Sequence, residues 1–155
     1  MVDLEFRYPT EQDILWITEH LTEADRVELF AGGHKSVEKV IRDAVRKSKA
    51  CIVAVYEDKP LTIYGLYKSS VLGNGGIPWM LTTHQSKQYR REYMVYTRLV
   101  IDEMLEECDV LSNYVHAKNR ISIKWLKALG FTIDEPEENP ITKELFHRFH
   151  LSKRI

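Results

Sequence analysis

Cysteine is scarce: Cys51 and Cys108 are too few and too far apart for a disulfide framework or a clustered zinc site. Both are expected to be reduced core thiols. No window is apolar and long enough for a membrane span, and Met1-Val2-Asp3-Leu4-Glu5 lacks the basic start and apolar run of a signal peptide. A protein working in a cytoplasm, away from membranes, is the expectation. Charge of one sign is missing too. Twenty-two basic and twenty-three acidic side chains leave a net charge of −1, so no global field steers the chain to nucleic acid or anionic lipid. Any anion site must be local. Repeats, low-complexity tracts and linkers are also absent, and 155 residues suit one domain over 1–155.

What is present is a clear alternation of periods. A first strand is predicted over 4–8, after which Thr10 and Asp13 form a capping-box variant that opens a helix with Ile14, Ile17 and Leu21 inside. Thr22 to Asp25 offers a second helix start, continuing through Val27 to Phe30 until Gly32-Gly33. Ser36 caps a third helix, where Val37, Val40, Ile41 and Ala44 fall at i, i+3, i+4 and i+7. Strands are predicted over 50–56, 61–69 and 77–82, joined by turns at Asp58-Lys59-Pro60 and Gly73-Asn74-Gly75-Gly76. The second turn precedes a strand, which makes it a hairpin and not a phosphate loop. A long helix from about Lys87 to Glu107 carries Tyr93, Tyr96, Val100 and Met104 on one apolar line. It leads to a strand over 110–116, and two strands joined by a long helix are usually parallel, so 77–82 and 110–116 should be neighbours.

Asn119 then starts a short helix. Ser122, Trp125, Leu126 and Leu129 make its apolar face, and Gly130 can take the left-handed conformation that stops it before Phe131. A strand over 131–134, an acidic proline-bounded loop over 135–140 and a last strand over 145–151 complete the chain. His147 and His150 have an odd spacing that sends them to opposite faces of a strand, so no metal pair is expected. No nucleophile elbow appears.

The strand, Asn-bearing loop, short helix and Gly-Phe succession, within this order of elements, resembles the GCN5-related N-acetyltransferase (GNAT) fold. The resemblance implies one α/β (α+β) domain: a mixed, mostly antiparallel sheet with a central parallel strand pair, flanked by helices. It implies acetyl-CoA as cofactor, no metal, and an amine-bearing protein or small molecule as acceptor. The pantetheine arm would lie on the backbone of Met80, Leu81 and Thr82, with the pyrophosphate at the following helix N-terminus, where orphan N–H groups and the helix dipole favour anions. The family usually carries Gln/Arg-x-x-Gly-x-Gly/Ala there. This chain has Lys87-Gln-Tyr-Arg90-Arg-Glu92, which keeps the leading cation and neither small residue.

Lys87, Arg90 and Arg91 could bind phosphates through their side chains instead, or form a solvated, charged first turn. By the same resemblance Asn119 contacts the cofactor or an active-site water; a helix N-cap suits it equally, and both roles can coexist. The tyrosine acid of family enzymes is replaced by Leu126, which cannot donate a proton. Transfer would proceed by direct amine attack on the thioester, with a carboxylate or imidazole taking the amine proton. His84 and His116 are candidates as they stand at the ends of the two expected neighbouring strands, where their bland role is that of polar residues leaving the sheet. Glu28 is the third candidate. Asp25 and Glu28 share a helix face and Arg26 points elsewhere; this is acceptor-site territory by resemblance, or simply a solvated helix surface.

Ala24-Asp-Arg-Val-Glu28, Gly76-Ile-Pro-Trp-Met-Leu-Thr82 and Ser112 through Asn119, with Trp125 to Phe131, are similar to a narrower group. These are small tailed-phage proteins with a GNAT-like fold, including the internal virion protein A family of T7-like phages, which also lack the glycine-rich loop. Two functions therefore compete. One is an acetyl-CoA-dependent N-acetyltransferase, with a host protein in the host cytoplasm as one acceptor; the other is a non-catalytic virion or assembly protein that keeps the fold for interactions with phage or host partners. A module that binds CoA without turnover is a third expectation.

Overall fold

Side-chain caps set where most of the helices begin. In the computed structural model, which describes residues 1–69 and 73–153, strand β1 (Glu5–Arg7) leads to helix α1 (Glu11–His20), where Thr10 and Asp13 form a reciprocal capping box. Thr22 caps α2 (Glu23–Ala31) and Ser36 caps α3 (Val37–Lys47) by accepting from backbone N–H groups three residues on. The strands β2 (Ala50–Tyr56), β3 (Lys59–Ser69) and β4 (Gly75–Thr82) form a meander. A 3₁₀ turn (His84–Lys87) precedes α4 (Arg90–Glu107), and β5 (Val110–His116), α5 (Arg120–Ala128), β6 (Thr132–Glu138) and β7 (Leu145–Ser152) follow.

The seven strands form one sheet in the order β1-β2-β3-β4-β5-β7-β6, antiparallel except for β4 and β5. Side chains alternate across it. Val53, Val55, Ile63 and Leu81 pack against Ile14 and Ile17 of α1 and Ile41 of α3. Tyr64 and Leu66 pack in the other core with Ile101 and Met104 of α4. Each fully buried aliphatic side chain in these cores contributes about 2 kcal/mol. Among the described residues, no helix is long and apolar enough to cross a membrane.

Four local expectations are corrected. The first hairpin turn is Glu57-Asp58, both with positive φ, a pairing typical of a tight hairpin, so Lys59 and Pro60 already belong to β3. Gly75 and Gly76 are not turn residues but the first residues of β4. Gly76 is required by close approach, since a Cβ there would stand 2.6 Å from Cys108 Sγ. The long helix starts at Arg90 and leaves Lys87 in the 3₁₀ turn. Residues 135–138, expected as loop, extend β6. Its position at the sheet edge and a register shift between Ile133 and Pro136 accommodate the proline, which needs no ladder donor there. Gly130, at φ +100°, ends α5 as expected.

The parallel pair is brief. β4 and β5 are paired only at Gly75 with Val110 and Gly76 with Leu111. Pro78 then ends the ladder. In a strand a residue's N and C=O point to the same side, and the Pro78 carbonyl accepts from Asn113 Nδ2 of β5 at 2.7 Å, so the missing N–H faces β5 as well. Beyond this point the two strands part, and a wedge opens between their C-terminal ends.

Candidate active site

The wedge is filled from one side by the start of α2. Thr22 N donates to the Thr82 carbonyl at 2.9 Å, and Asp25 Oδ2 accepts from Thr82 N at 2.9 Å. Glu28, one turn later, accepts from His116 N at 2.8 Å through Oε1. The two carboxylates thus take the free backbone donors of β4 and β5. Asn119 joins them: Nδ2 lies 3.4 Å from Asp25 Oδ1 and 3.2 Å from Glu28 Oε1, while its Oδ1 accepts from Ser122 N. Asn119 is therefore the N-cap of α5 and a bridge between two acids.

Burial pushes the Asp25 carboxyl up to about 6, against the lowering effect of the Thr82 amide. Glu28 is pushed up to about 7, first by burial and then by the neighbouring Asp25 charge. The burial of Asp25 and the partners that both acids find on β4, β5 and Asn119 rule out a solvated helix surface for this pair. Helix α2 is turned inside out: Asp25 is buried, whereas Val27 and Phe30 are 41% and 48% exposed. That inverted pattern, with carboxylates three apart opposite exposed apolar residues, was the available signal.

Two cavities meet at the wedge. One, of about 310 Å³, is lined by Asp25 and Glu28, by Met80 and Leu81 of β4, and by aromatic side chains including Tyr67, Trp79 and Tyr114. The other, of about 510 Å³, lies between the starts of α4 and α5 and is lined by His84, Lys87, Arg90, Asn119 and Lys124. Asp25, Thr82, Tyr93, Ser122 and Trp125 border both. The first cavity is acidic and aromatic, and the second carries most of the cations. Tyr89 leaves the wedge open by packing on Tyr56, with ring centroids 5.1 Å apart.

The candidate residues consequently separate. Met80, Leu81, Thr82, Lys87, Arg90, Asn119, Glu28 and His84 line one or both cavities. Arg91 lines neither. The His116 imidazole also lines neither: it is 2% exposed, faces Glu144 Oε1 at 3.1 Å, and packs on Phe146. Two further cavity residues escaped attention in the sequence. Lys124 had no motif around it, and Tyr93 was indistinguishable from the apolar line of its helix. Among the described residues, no group of three His, Cys, Asp or Glu side chains is arranged to hold a metal.

Solved structures place this architecture. Over 99% of this chain and 96% of the other, it superposes on the ribosomal-protein-S18-alanine N-acetyltransferase of Escherichia coli with TM-score 0.71 and 14% identity. The chain has the GCN5-related N-acetyltransferase fold. The spermidine N-acetyltransferase of Vibrio cholerae, solved with CoA and spermine, matches with TM-score 0.72 at 10% identity over 97% of this chain and 95% of that one. A Bacillus subtilis acetyltransferase solved with CoA matches with TM-score 0.67 at 14% identity, over 96% and 97% of the two chains. Residues 61–136 match a family model described as "Bacteriophage T7, probable scaffold protein Gp13", a span just under half of the GNAT-like chain. No curated protein matches significantly.

Proposed function

We propose that the protein is an N-acyltransferase that moves an acyl group from a CoA thioester to a primary amine. The observation that carries this is the pair of cavities of opposite character meeting at the β4–β5 wedge. Acetyl-CoA, when bound, supplies an acyl carbon activated by its thioester. The donor set suits it: Lys87, Arg90 and Lys124 offer charge-assisted contacts to a nucleotide diphosphate, replacing the backbone contacts of a glycine loop. Met80 lies two residues before Thr82 on the same strand, so its backbone N–H faces the wedge too and is the donor for the thioester arm.

The acceptor amine enters the smaller cavity, where aromatic walls and two carboxylates suit a cation. Glu28 is the base. Its carboxyl, raised to about 7, is matched to taking a proton from an amine near neutral pH. Asn119 holds Glu28 and Asp25 together as one unit. His84 lines the cation-rich cavity, away from the acceptor, and His116 is turned to Glu144, so neither serves as base.

The test is thiol release from acetyl-CoA with spermidine and with a lysine-containing peptide as acceptors. Amine-dependent release that is lost in Glu28→Gln is the expected result. A second reading is a scaffold that keeps the fold without chemistry. It is favoured by the match to the scaffold-protein model and by Asp25, which already occupies the Thr82 N–H inside the wedge. Absence of both CoA binding and thiol release would leave that account standing.

A further inference from the structure

Expelling a thiolate from a thioester needs a partner for the charge that gathers on sulfur, and Leu126 offers none. Tyr93, which reaches from α4 into the wedge, borders both cavities and is 8% exposed. Its hydroxyl already faces a sulfur, donating to Met80 Sδ at 3.5 Å. The Thr82 and Thr97 hydroxyls stand beside it, Thr97 is bonded in turn to Tyr64, and Thr82 to Thr62 at 3.5 Å. Five hydroxyls, four of them on buried residues, therefore form a row through an otherwise apolar core. Trp125 closes the outer side, edge-on to the Tyr93 ring with centroids 5.2 Å apart. Such a row orients a phenol far better than water would.

Resting on the acyl-transfer function above, we infer that Tyr93 is the hydrogen-bond donor to the departing sulfur, a catalytic residue in place of the acid that Leu126 cannot provide. The amine nitrogen forms a bond to the acyl carbon, the carbon–sulfur bond breaks, and its electron pair stays on sulfur. Glu28 takes the amine proton. Tyr93 keeps its own proton: burial raises the phenol to about 12, above the roughly 8.5 of a cysteine thiol, so the hydroxyl stabilises the thiolate without ionising. The thiolate finally takes a proton from solvent and Glu28 returns one, which balances the exchange.

The test uses the full chain and its Tyr93→Phe variant, with CoA and desulfo-CoA as equilibrium probes alongside acetyl-CoA turnover. The wild type should prefer CoA to desulfo-CoA, and Tyr93→Phe should lose that preference while retaining affinity for desulfo-CoA. Its kcat should fall roughly 100-fold at nearly unchanged KM. Thr97→Val, which removes a neighbour that orients the phenol, should show a smaller loss of the same kind and serves if Tyr93→Phe is poorly folded. Unchanged turnover and an unchanged CoA preference in both variants would overturn the role of Tyr93 while leaving acyl transfer intact. Failure of the wild type to bind either probe would overturn acyl transfer itself, and the Tyr93 role with it.

Discussion

The two sides of the wedge are built on opposite principles. On the α4–α5 side, the long side chains of Lys87, Arg90 and Lys124 line a cavity of about 510 Å³, and Arg90 and Glu92 stand where a glycine-rich loop would have its small residues. On the α2 side, two short-reaching acids are drawn into the protein and held by backbone N–H groups and by Asn119. The difference teaches where a fold tolerates change. On the proposed function, anion binding has passed from backbone to side chains, because Lys and Arg span the gap that a glycine would have opened. Acid–base work cannot be displaced so freely, because a raised carboxyl pKa depends on a fixed, dry position.

The sharpest way to break the comparison is to neutralise the acidic side alone. Glu28→Gln should lower amine-dependent turnover roughly 100-fold while CoA affinity stays within about twofold. In the wild type, the rate should decline as pH drops below about 7, where Glu28 becomes protonated, and a pH–rate profile checks it. Neutralising the other side should do the reverse. Lys87→Ala with Arg90→Ala should weaken CoA binding by about 10- to 100-fold, read by titration, without moving that pH profile.

Stability separates the sides next. Asp25 and Glu28 have folded pKa values of about 6 and about 7, above reference values of 3.8 and 4.5. The native state therefore holds protons that the unfolded chain has released. The stability contributed by these groups is fully present below the reference values and is lost as pH rises through about 7. Urea melts at about pH 5 and about pH 8 should show a smaller loss in Asp25→Asn/Glu28→Gln, a difference on the order of 2 kcal/mol. Asn119→Ala should cost about 1 to 2 kcal/mol by removing a cap and the bridge between the acids. The smallest effect is expected from Arg91→Ala, which lines neither cavity and should change CoA affinity by less than about twofold.

Much of this was legible in the sequence, because periodicity and caps are local. The Thr10–Asp13 box, the Ser36 and Asn119 caps and the Gly130 stop follow from residues close together in the chain, and the β4–β5 adjacency from the long helix that joins the two strands. What escaped depends on tertiary placement. Pro136 is allowed in β6 only because that strand is an edge, which short-range pattern does not reveal. Gly76 looks like turn chemistry until Cys108 is brought against it. Asp25 and Glu28 resemble any solvated acidic helix until β4 and β5 part beneath them. The wedge itself had a local cause that sequence alone did not single out: Pro78, sitting where a parallel ladder needed a donor.

Calorimetric titration of acetyl-CoA into the full chain, at low and at physiological salt, tests the central claim most directly. Saturable binding that weakens with salt, and that at about 100 times Kd stabilises the native state by roughly 2.7 kcal/mol, is predicted. Absence of binding heat together with an unmoved melting temperature would contradict it.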